Sequence, residues 1–85
     1  MQIKTLFLNT KEIVRRTGYS RTTLYNRVKS ALFMKPLKLD GRSVVWPEHE
    51  VEELLRFMLS DPTQDQIRVL VSKIHTRRQS QGEQA

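Results

Sequence analysis

A mainly helical domain with one small β-hairpin is the fold class that this 85-residue sequence predicts. Three observations predict it. A helix–turn–helix pattern is centred on Gly18, the pair Asp40-Gly41 lies between two β-prone runs, and apolar residues at helical spacing continue after the hairpin as far as Ile74. We expect one domain over residues 1–60 and an additional helix over residues 61–76. Residues 77–85 lack a large apolar anchor, so we expect a disordered tail there.

The N-terminal part of the chain predicts a short β-segment followed by a helix. Residues 3–8 are apolar and β-prone, and we expect them to form a strand or an extended arm. Asn9 and Glu12 have the spacing of a capping box, which places the start of the first helix near Asn9. Ile13 and Val14 supply its buried positions. Gly18 can adopt the positive φ that ends a helix.

The second helix is predicted from about Arg21 to Ala31, with Ser20 as its N-cap. Leu24, Val28 and Ala31 have the spacing of a core-facing stripe. The opposite face is polar and carries side chains that contact phosphates and base edges when a helix enters a major groove. Those residues are Ser20, Arg21, Thr22, Thr23, Tyr25, Asn26 and Lys29. The alternative is a simple two-helix corner with a solvated polar face.

The hairpin pattern follows directly after this helix. Asp40-Gly41 predicts a two-residue turn in which both residues have positive φ. Val44 and Trp46 would then face the core, and the basic residues Lys38 and Arg42 would project near the tip. A basic hairpin after a recognition helix indicates the wing of a winged helix-turn-helix, although hairpin turns are also basic merely because they are exposed.

Two further helices are predicted after the hairpin. Pro47 suits the first turn of a third helix, whose glutamates favour its positive N-terminal end. We expect Asp61 to cap a fourth helix, with Pro62 at its first position. Its apolar stripe consists of Ile67, Leu70, Val71 and Ile74. This stripe can fold back on its own domain or pair with a second copy or a partner.

Charge is distributed unevenly along the chain. The net charge is +6 and the isoelectric point is near 10.2. Residues 1–45 hold ten Lys/Arg and two acidic residues, a net +8, whereas residues 46–85 hold five Lys/Arg and seven acidic residues, a net −2. The excess positive charge therefore coincides with the helix-turn-helix pattern, as polyanion binding predicts.

Catalytic and metal-binding patterns are not found in the sequence. It has no cysteine, and His49 and His75 lie in different predicted helices, outside any metal-ligand spacing. The glutamates that begin the third helix are explained by the helix dipole. We therefore expect a protein that is not an enzyme, with no cofactor and no metal. No apolar run approaches the length of a membrane span, and no signal peptide is recognised, so we expect a cytoplasmic, nucleoid-associated protein.

Several motifs together resemble the AlpA family of small phage and genomic-island regulators. They are Gly18-Tyr19-Ser20-Arg21-Thr22-Thr23-Leu24-Tyr25, then Pro36 with Lys38-Leu39 and Gly41-Arg42, then Val45-Trp46 and Glu50-Val51. The resemblance covers about residues 8–57 and implies a MerR-like or excisionase-like winged helix-turn-helix. It implies major-groove contacts from Ser20 to Lys29, wing contacts from Lys38 and Arg42, and core or near-core positions for Tyr25 and Trp46. The loop after the second helix lacks the usual glycine, and the fourth helix extends beyond the family pattern.

The resemblance also suggests what the protein does. It implies a sequence-specific DNA-binding protein of a mobile element, acting as an excisionase, a transcriptional regulator or both by binding and bending DNA. The expected partners are double-stranded DNA, a tyrosine-recombinase integrase and further copies of the chain in a dimer or cooperative assembly. The alternative is an adaptor or anti-repressor that uses the C-terminal helix. A module like the terminase small subunit is a third interpretation, but it needs an oligomerisation region for which 85 residues leave little space.

Overall fold

The computed structural model describes residues 7–39, 41 and 43–83 of the chain. Four helices and three short strands follow one another in this part. Their order and bounds are β1 (Phe7–Asn9), α1 (Thr10–Thr17), α2 (Arg21–Lys29), β2 (Leu37–Lys38), β3 (Val44–Pro47), α3 (Glu48–Met58) and α4 (Gln64–Glu83). The predicted fold class, a winged helix-turn-helix followed by an additional helix, is confirmed. Residues 3–6 of the predicted first strand lie outside the described residues.

The helix–turn–helix is formed by local capping interactions. Asn9 and Glu12 form the predicted capping box at the start of α1, with side-chain-to-backbone distances of 2.9 and 3.0 Å. Gly18 ends α1 at φ +78°, and its N–H donates to the carbonyl of Val14. Ser20 then accepts a hydrogen bond from the N–H of Thr23 and caps α2. Each of these interactions spans four residues or fewer, which is why the sequence predicts them.

The end of α2 differs from the prediction. The helix ends at Lys29, and Ala31 is exposed with φ +62° instead of lying on the core stripe. The N–H of Ala31 donates to the carbonyl of Val28, and the N–H of Leu32 donates to the carbonyl of Arg27. These bonds form a Schellman motif in which alanine takes the position usually held by glycine. The chain then turns inward, so that Leu32 and the two residues after it are buried.

The three strands form an antiparallel sheet in the order β1-β3-β2. Lys38 lies opposite Val44, and the N–H of Leu39 donates to the carbonyl of Ser43. Leu39 and Ser43 are four positions apart in the sequence, so the register of the described residues differs by one position from that of the predicted two-residue turn. Trp46 is buried, as predicted, and its Nε1–H donates to the carbonyl of Met34 at 2.8 Å. Gly41 has the predicted positive φ, and Asp40 lies outside the described residues.

The last two helices begin and end at different residues from those predicted. Pro47 is the N-cap of α3, one position before its predicted place inside the helix. The cap of α4 is Thr63, not Asp61, because Thr63 and Gln66 form a reciprocal capping box with distances of 2.9 and 3.1 Å. Helix α4 also continues to Glu83, through most of the expected tail. Ion pairs of Arg77 with Glu53 and of Arg78 with Glu50 hold this extension against α3.

The hydrophobic core lies between the sheet and all four helices. Helix α4 contributes Ile67, Val71 and Ile74 to the same cluster that contains Trp46 and Leu54, so its apolar stripe folds back on its own domain. Helix α3 contributes Val51 as well. None of the helices in the described part of the chain has the length and apolar content that a membrane span requires.

Candidate nucleic-acid interface

Helix α2 presents a continuous polar face to solvent. Leu24 is fully buried, and its packing in the core fixes the rotation of the helix about its axis. Six of the residues predicted as site residues on this helix are consequently exposed: Arg21, Thr22, Thr23, Tyr25, Asn26 and Lys29. Ser20 is also exposed, but both of its hydrogen bonds go to Thr23, so its hydroxyl serves the helix cap. The structure thus brings the predicted α2 residues together on one accessible surface.

Tyr25 joins this surface to the N-terminus of α1. The resemblance placed it in or near the core, but it is 38% exposed. Its hydroxyl lies 3.3 Å from Oγ1 of Thr10, within hydrogen-bond distance. Leu24 occupies the adjacent buried position, which leaves Tyr25 at the edge of the helix. Tyr25 therefore belongs to the polar surface and connects α2 to the first turn of α1.

An open cleft separates α1 and α2 from the hairpin. Arg21 lines it from the N-terminus of α2, Lys11 from the first turn of α1, and Leu39 and Ser43 from the hairpin. Sequence reasoning missed Thr10 and Lys11 as site residues. Their place immediately after the Asn9 cap was visible in the sequence, but their proximity to α2 follows from the packing of α1 against α2. The cleft is lined by one cation from each of two helices and by Asn9, Thr10 and Ser43, with apolar side chains on its hairpin side; its two cations suit an anionic ligand.

The hairpin projects from the same side of the molecule. Lys38, the last residue of β2, is exposed. Arg42, the other predicted wing residue, lies outside the described residues. Leu39, adjacent to Lys38, is 52% exposed. An alternation of buried and exposed residues along this strand would bury Leu39, and the structure does not show that alternation. The described part of the hairpin therefore supplies one accessible cation beside the cleft.

The basic side chains fall into two groups according to their partners. Arg16 pairs with Glu48, and three arginines of α4 pair with Asp65, Glu53 and Glu50. By contrast, the exposed cations around the cleft and on α2 make no ion pair with any acidic residue in the described ranges. These are Lys11, Arg21, Lys29 and Lys38. The surface formed by α1, α2 and the hairpin, which we call the basic face, thus carries these four unpaired cations; Arg15, Lys35, Arg56 and Lys73 are also exposed and make no ion pair within the described ranges.

Arg27 has a structural position at the other edge of α2. Its guanidinium lies over the ring of Tyr19 at 5.0 Å from the ring centre, and its Nε atom is buried. A cation over an aromatic ring is held by electrostatic attraction to the ring face. The Tyr19 hydroxyl in turn contacts the sulfur of Met58. Arg27 and Tyr19 therefore brace the turn of the helix-turn-helix against the end of α3.

A buried ion pair between α3 and α4 was not predicted. Glu50 is 5% exposed and accepts hydrogen bonds from Arg78, including two from Nε at 2.9 and 3.1 Å. The glutamates of α3 were attributed to the helix dipole alone. A clue was present in the sequence, since Arg78 continues the spacing of Ile67, Val71 and Ile74 and so lies on the buried face of α4. Identifying its partner required the packing of α3 against α4.

His75 is adjacent to this ion pair. Its Nε2 accepts a hydrogen bond from the backbone N–H of Lys35 at 3.1 Å, which requires a neutral ring with the proton on Nδ1. Partial burial lowers the pKa of His75 below its ordinary value of 6.5, and the positive charges of Arg78 and Lys35 lower it further, while Glu50 opposes them. His49, the other histidine, is exposed on α3.

The described residues contain no group of three or more histidines, cysteines or acidic side chains that could hold a metal ion. In a comparison with known proteins, the model of one family, described as the prophage CP4-57 regulatory protein (AlpA), matches residues 6–59. This range begins one residue before β1 and ends one residue after α3, and it leaves out α4. No curated protein and no solved structure matches the chain.

Proposed function

The chain belongs to the AlpA family of prophage regulatory proteins, since the family model matches residues 6–59, and on this premise we propose that it is a sequence-specific DNA-binding regulator. The observation that carries the proposal is the basic face. On this face the polar side of α2, the first turn of α1 and the hairpin present unpaired cations beside exposed hydrogen-bonding groups. Double-stranded DNA is the ligand whose shape and charge suit such a surface.

The proposed mechanism divides the contacts between base edges and phosphates. The exposed side of α2 would enter a major groove, where Asn26 and Arg21 can form bidentate contacts with bases. Lys38 on the hairpin would contact the adjacent minor groove or its phosphates, together with Arg42. Lys11 and Lys29 would contact the phosphates that flank the major groove and fix the position of the helix on the duplex.

The size of the module implies that it acts in more than one copy. A single domain of this size buries about 600 to 1,000 Å² against DNA, which gives modest affinity. We propose that several copies bind adjacent sites on the DNA of a mobile element and bend it. In the role of an excisionase, this bend would bring the arms bound by a tyrosine-recombinase integrase together. In the role of a transcriptional regulator, it would alter a promoter. Either role places the protein at the nucleoid.

The adaptor function is less well supported by the structure. It required the apolar stripe of α4 to be available for a partner, but Ile67, Val71 and Ile74 are buried in the domain's own core. The outer side of α4 exposes Val69 among polar residues. A single exposed valine is common on protein surfaces and does not indicate an interface.

The test is the binding of the purified protein to labelled duplexes from the ends of its element and to shuffled duplexes of equal length. Titrations at several salt concentrations separate counterion release from base recognition. We expect a preference for the element DNA that persists at about 0.15 M salt. In gels of circularly permuted DNA fragments, we expect the mobility of the complex to vary with the position of the binding site, as it does when the protein bends DNA. Equal, weak binding to both duplexes would contradict DNA recognition and favour the adaptor function.

A further inference from the structure

We propose that α4, which lies outside the region matched by the family model, positions the hairpin relative to the recognition helix α2. The positioning residues are His75 and Arg78. They act through residues 30–35, the connector that joins the end of α2 to the segment before β2. This inference rests on the proposed DNA-binding function, because it concerns how two DNA-contacting elements are held in register.

The contacts that carry the proposal come from three side chains of α4. Arg68 Nε donates to the carbonyl of Ser30 at 2.9 Å, at one end of the connector. At the other end, His75 Nε2 accepts from the N–H of Lys35 at 3.1 Å, and Arg78 Nη1 donates to the carbonyl of Lys35 at 2.9 Å. Both ends of the connector are thus hydrogen-bonded through their backbone to one helix.

The position of Arg78 is itself fixed by a buried partner. Its Nε and Nη2 atoms bind the Glu50 carboxylate of α3, while Nη1 remains directed at the connector. Charge-assisted, multidentate pairs of this kind define side-chain orientation closely. Within the connector, the carbonyl of Met34 accepts from Trp46 of β3. The connector therefore links α4, the central strand of the sheet and α2.

The need for such a clamp follows from the local structure of the connector. Ala31 at φ +62° ends the helix, and the described residues 30–36 form no regular secondary structure. Strand β3 is held by its pairing with β1, but β2 is an edge strand that follows this irregular segment directly. Residues on α2 and on the hairpin can engage one duplex together only if their separation matches that of the DNA sites. If the hairpin moved freely relative to α2, the two elements would bind one duplex together less tightly, even with every DNA-contacting side chain intact.

The first arm of the test measures the position of the hairpin without DNA. The chain has no cysteine, so nitroxide labels can be attached at Lys29→Cys on α2 and Ser43→Cys beside the hairpin loop. His75→Phe keeps a ring but removes the acceptor, whereas His75→Gln keeps an acceptor at similar reach. We expect a broader inter-label distance distribution in His75→Phe, faster exchange of the Lys35 amide hydrogen, and values close to wild type in His75→Gln. An unchanged distribution in His75→Phe would overturn the proposal.

A second variant distinguishes loss of the clamp from unfolding of the whole domain. Arg78→Lys keeps a positive charge beside Glu50, but its donors all lie on one nitrogen and cannot replace the three separate nitrogens by which Arg78 holds both the carboxylate and the Lys35 carbonyl. Its circular dichroism and the fluorescence of buried Trp46 should remain native while the distance distribution broadens. If Arg78→Lys is folded and its distribution stays as narrow as that of the wild type, the clamp is not needed and the proposal fails.

The second arm connects the clamp to DNA binding by a double-mutant cycle. We expect His75→Phe to weaken binding severalfold, and we expect Lys38→Ala to weaken binding less in the His75→Phe background than in the wild type. Such coupling arises only if the clamp acts through the position of the hairpin. Additive losses would overturn the positioning role. Absence of specific DNA binding by the wild type would instead overturn the proposed function, and the label distances would still decide whether α4 positions the hairpin.

Discussion

At the scale of single residues, Asn26 is the clearest candidate for base recognition. Its side chain is exposed in the middle of the polar face of α2 and is not used in a cap or an ion pair described for that helix. An asparagine bound bidentately to a base contributes about 1 to 3 kcal/mol of discrimination. We expect Asn26→Ala to relax preference at one base pair while leaving circular dichroism native. Affinity measured across a library of single-base variants of the site checks this.

The matched control for this change is Gln79→Ala, which removes a polar side chain of similar exposure from α4. It should leave both affinity and base preference unchanged. If Asn26→Ala retains the wild-type preference at every base pair, α2 docks on DNA with another face than the one proposed.

His75 makes the stability of the protein depend on pH near neutrality. Because its pKa is lowered in the folded state, the unfolded chain binds more protons as the pH falls below about 6.5. The free energy of unfolding should therefore be at its full value above pH 6.5 and should fall between that pH and the lower pKa of the folded state. Urea denaturation at a series of pH values between about 5.5 and 7.5 measures this change.

Substitution of each histidine identifies the group responsible. His75→Gln removes the titrating ring but preserves an acceptor for the Lys35 N–H, so we expect its stability to vary less over this pH range. His49→Gln, at the exposed histidine of α3, is the control for the loss of a histidine elsewhere in the chain. An identical pH profile for the wild type and His75→Gln would show that another group controls this range.

At the scale of elements, α4 is part of the folding unit. Truncation after Ser60 removes Ile67, Val71 and Ile74 from the core, each worth about 1.5 to 3 kcal/mol of burial before entropy losses. It also leaves Glu50 without Arg78. Because small domains have marginal stability, we expect the truncated chain to be largely unfolded. Circular dichroism and the chemical-shift dispersion of its amide protons measure this.

The matched comparison is truncation after Ser80, which keeps every described contact of α4 with the rest of the domain. That protein should unfold at nearly the wild-type urea concentration. A chain truncated after Ser60 that nevertheless folds and binds DNA would show that the region matched by the family model is sufficient by itself.

Elements were predictable from the sequence where their interactions are local. The capping box of Asn9 and Glu12, the Ser20 cap and the Gly18 turn all connect residues close in sequence, and all were predicted at the observed positions. The register of the hairpin was wrong by one position, because the pairing of β3 with both β1 and β2 is not set by the turn residues alone. The end of α4 was missed because its stabilising partner, Glu50, lies 28 residues away from Arg78.

The candidate site also contains residues that could be predicted from the sequence and residues that could not. The polar face of α2 follows from helical spacing around buried Leu24, so its exposed residues could be chosen from the sequence. Lys11 could not, because its proximity to Arg21 arises from the packing of α1 against α2. Tyr25 was assigned both to the core and to the site, and its contact with Thr10 places it at the surface.

At the scale of the whole molecule, the distribution of charge should matter more than its total. Lys11→Glu and Lys73→Glu each lower the net charge from +6 to +4, but Lys11 lies on the basic face and Lys73 on the outer side of α4. We expect Lys11→Glu to weaken DNA binding strongly and to flatten its salt dependence by about one phosphate contact. Lys73→Glu should have a small effect.

Fluorescence anisotropy titrations of both variants over a range of salt concentrations compare the two effects directly. Equal losses of affinity would indicate that DNA responds only to the overall charge of the protein. In that case the basic face would have no preferred orientation toward the duplex.

The buried contact between Glu50 and Arg78 also has a consequence for how the protein is made. During translation, α2 and the hairpin are synthesised before Arg78 is added to the chain, at a rate of about 5 to 20 residues per second. Until then the core lacks α4, and the Glu50 carboxylate must remain hydrated. The elements that would contact DNA are therefore synthesised early, but they reach their final arrangement only after translation has passed α4.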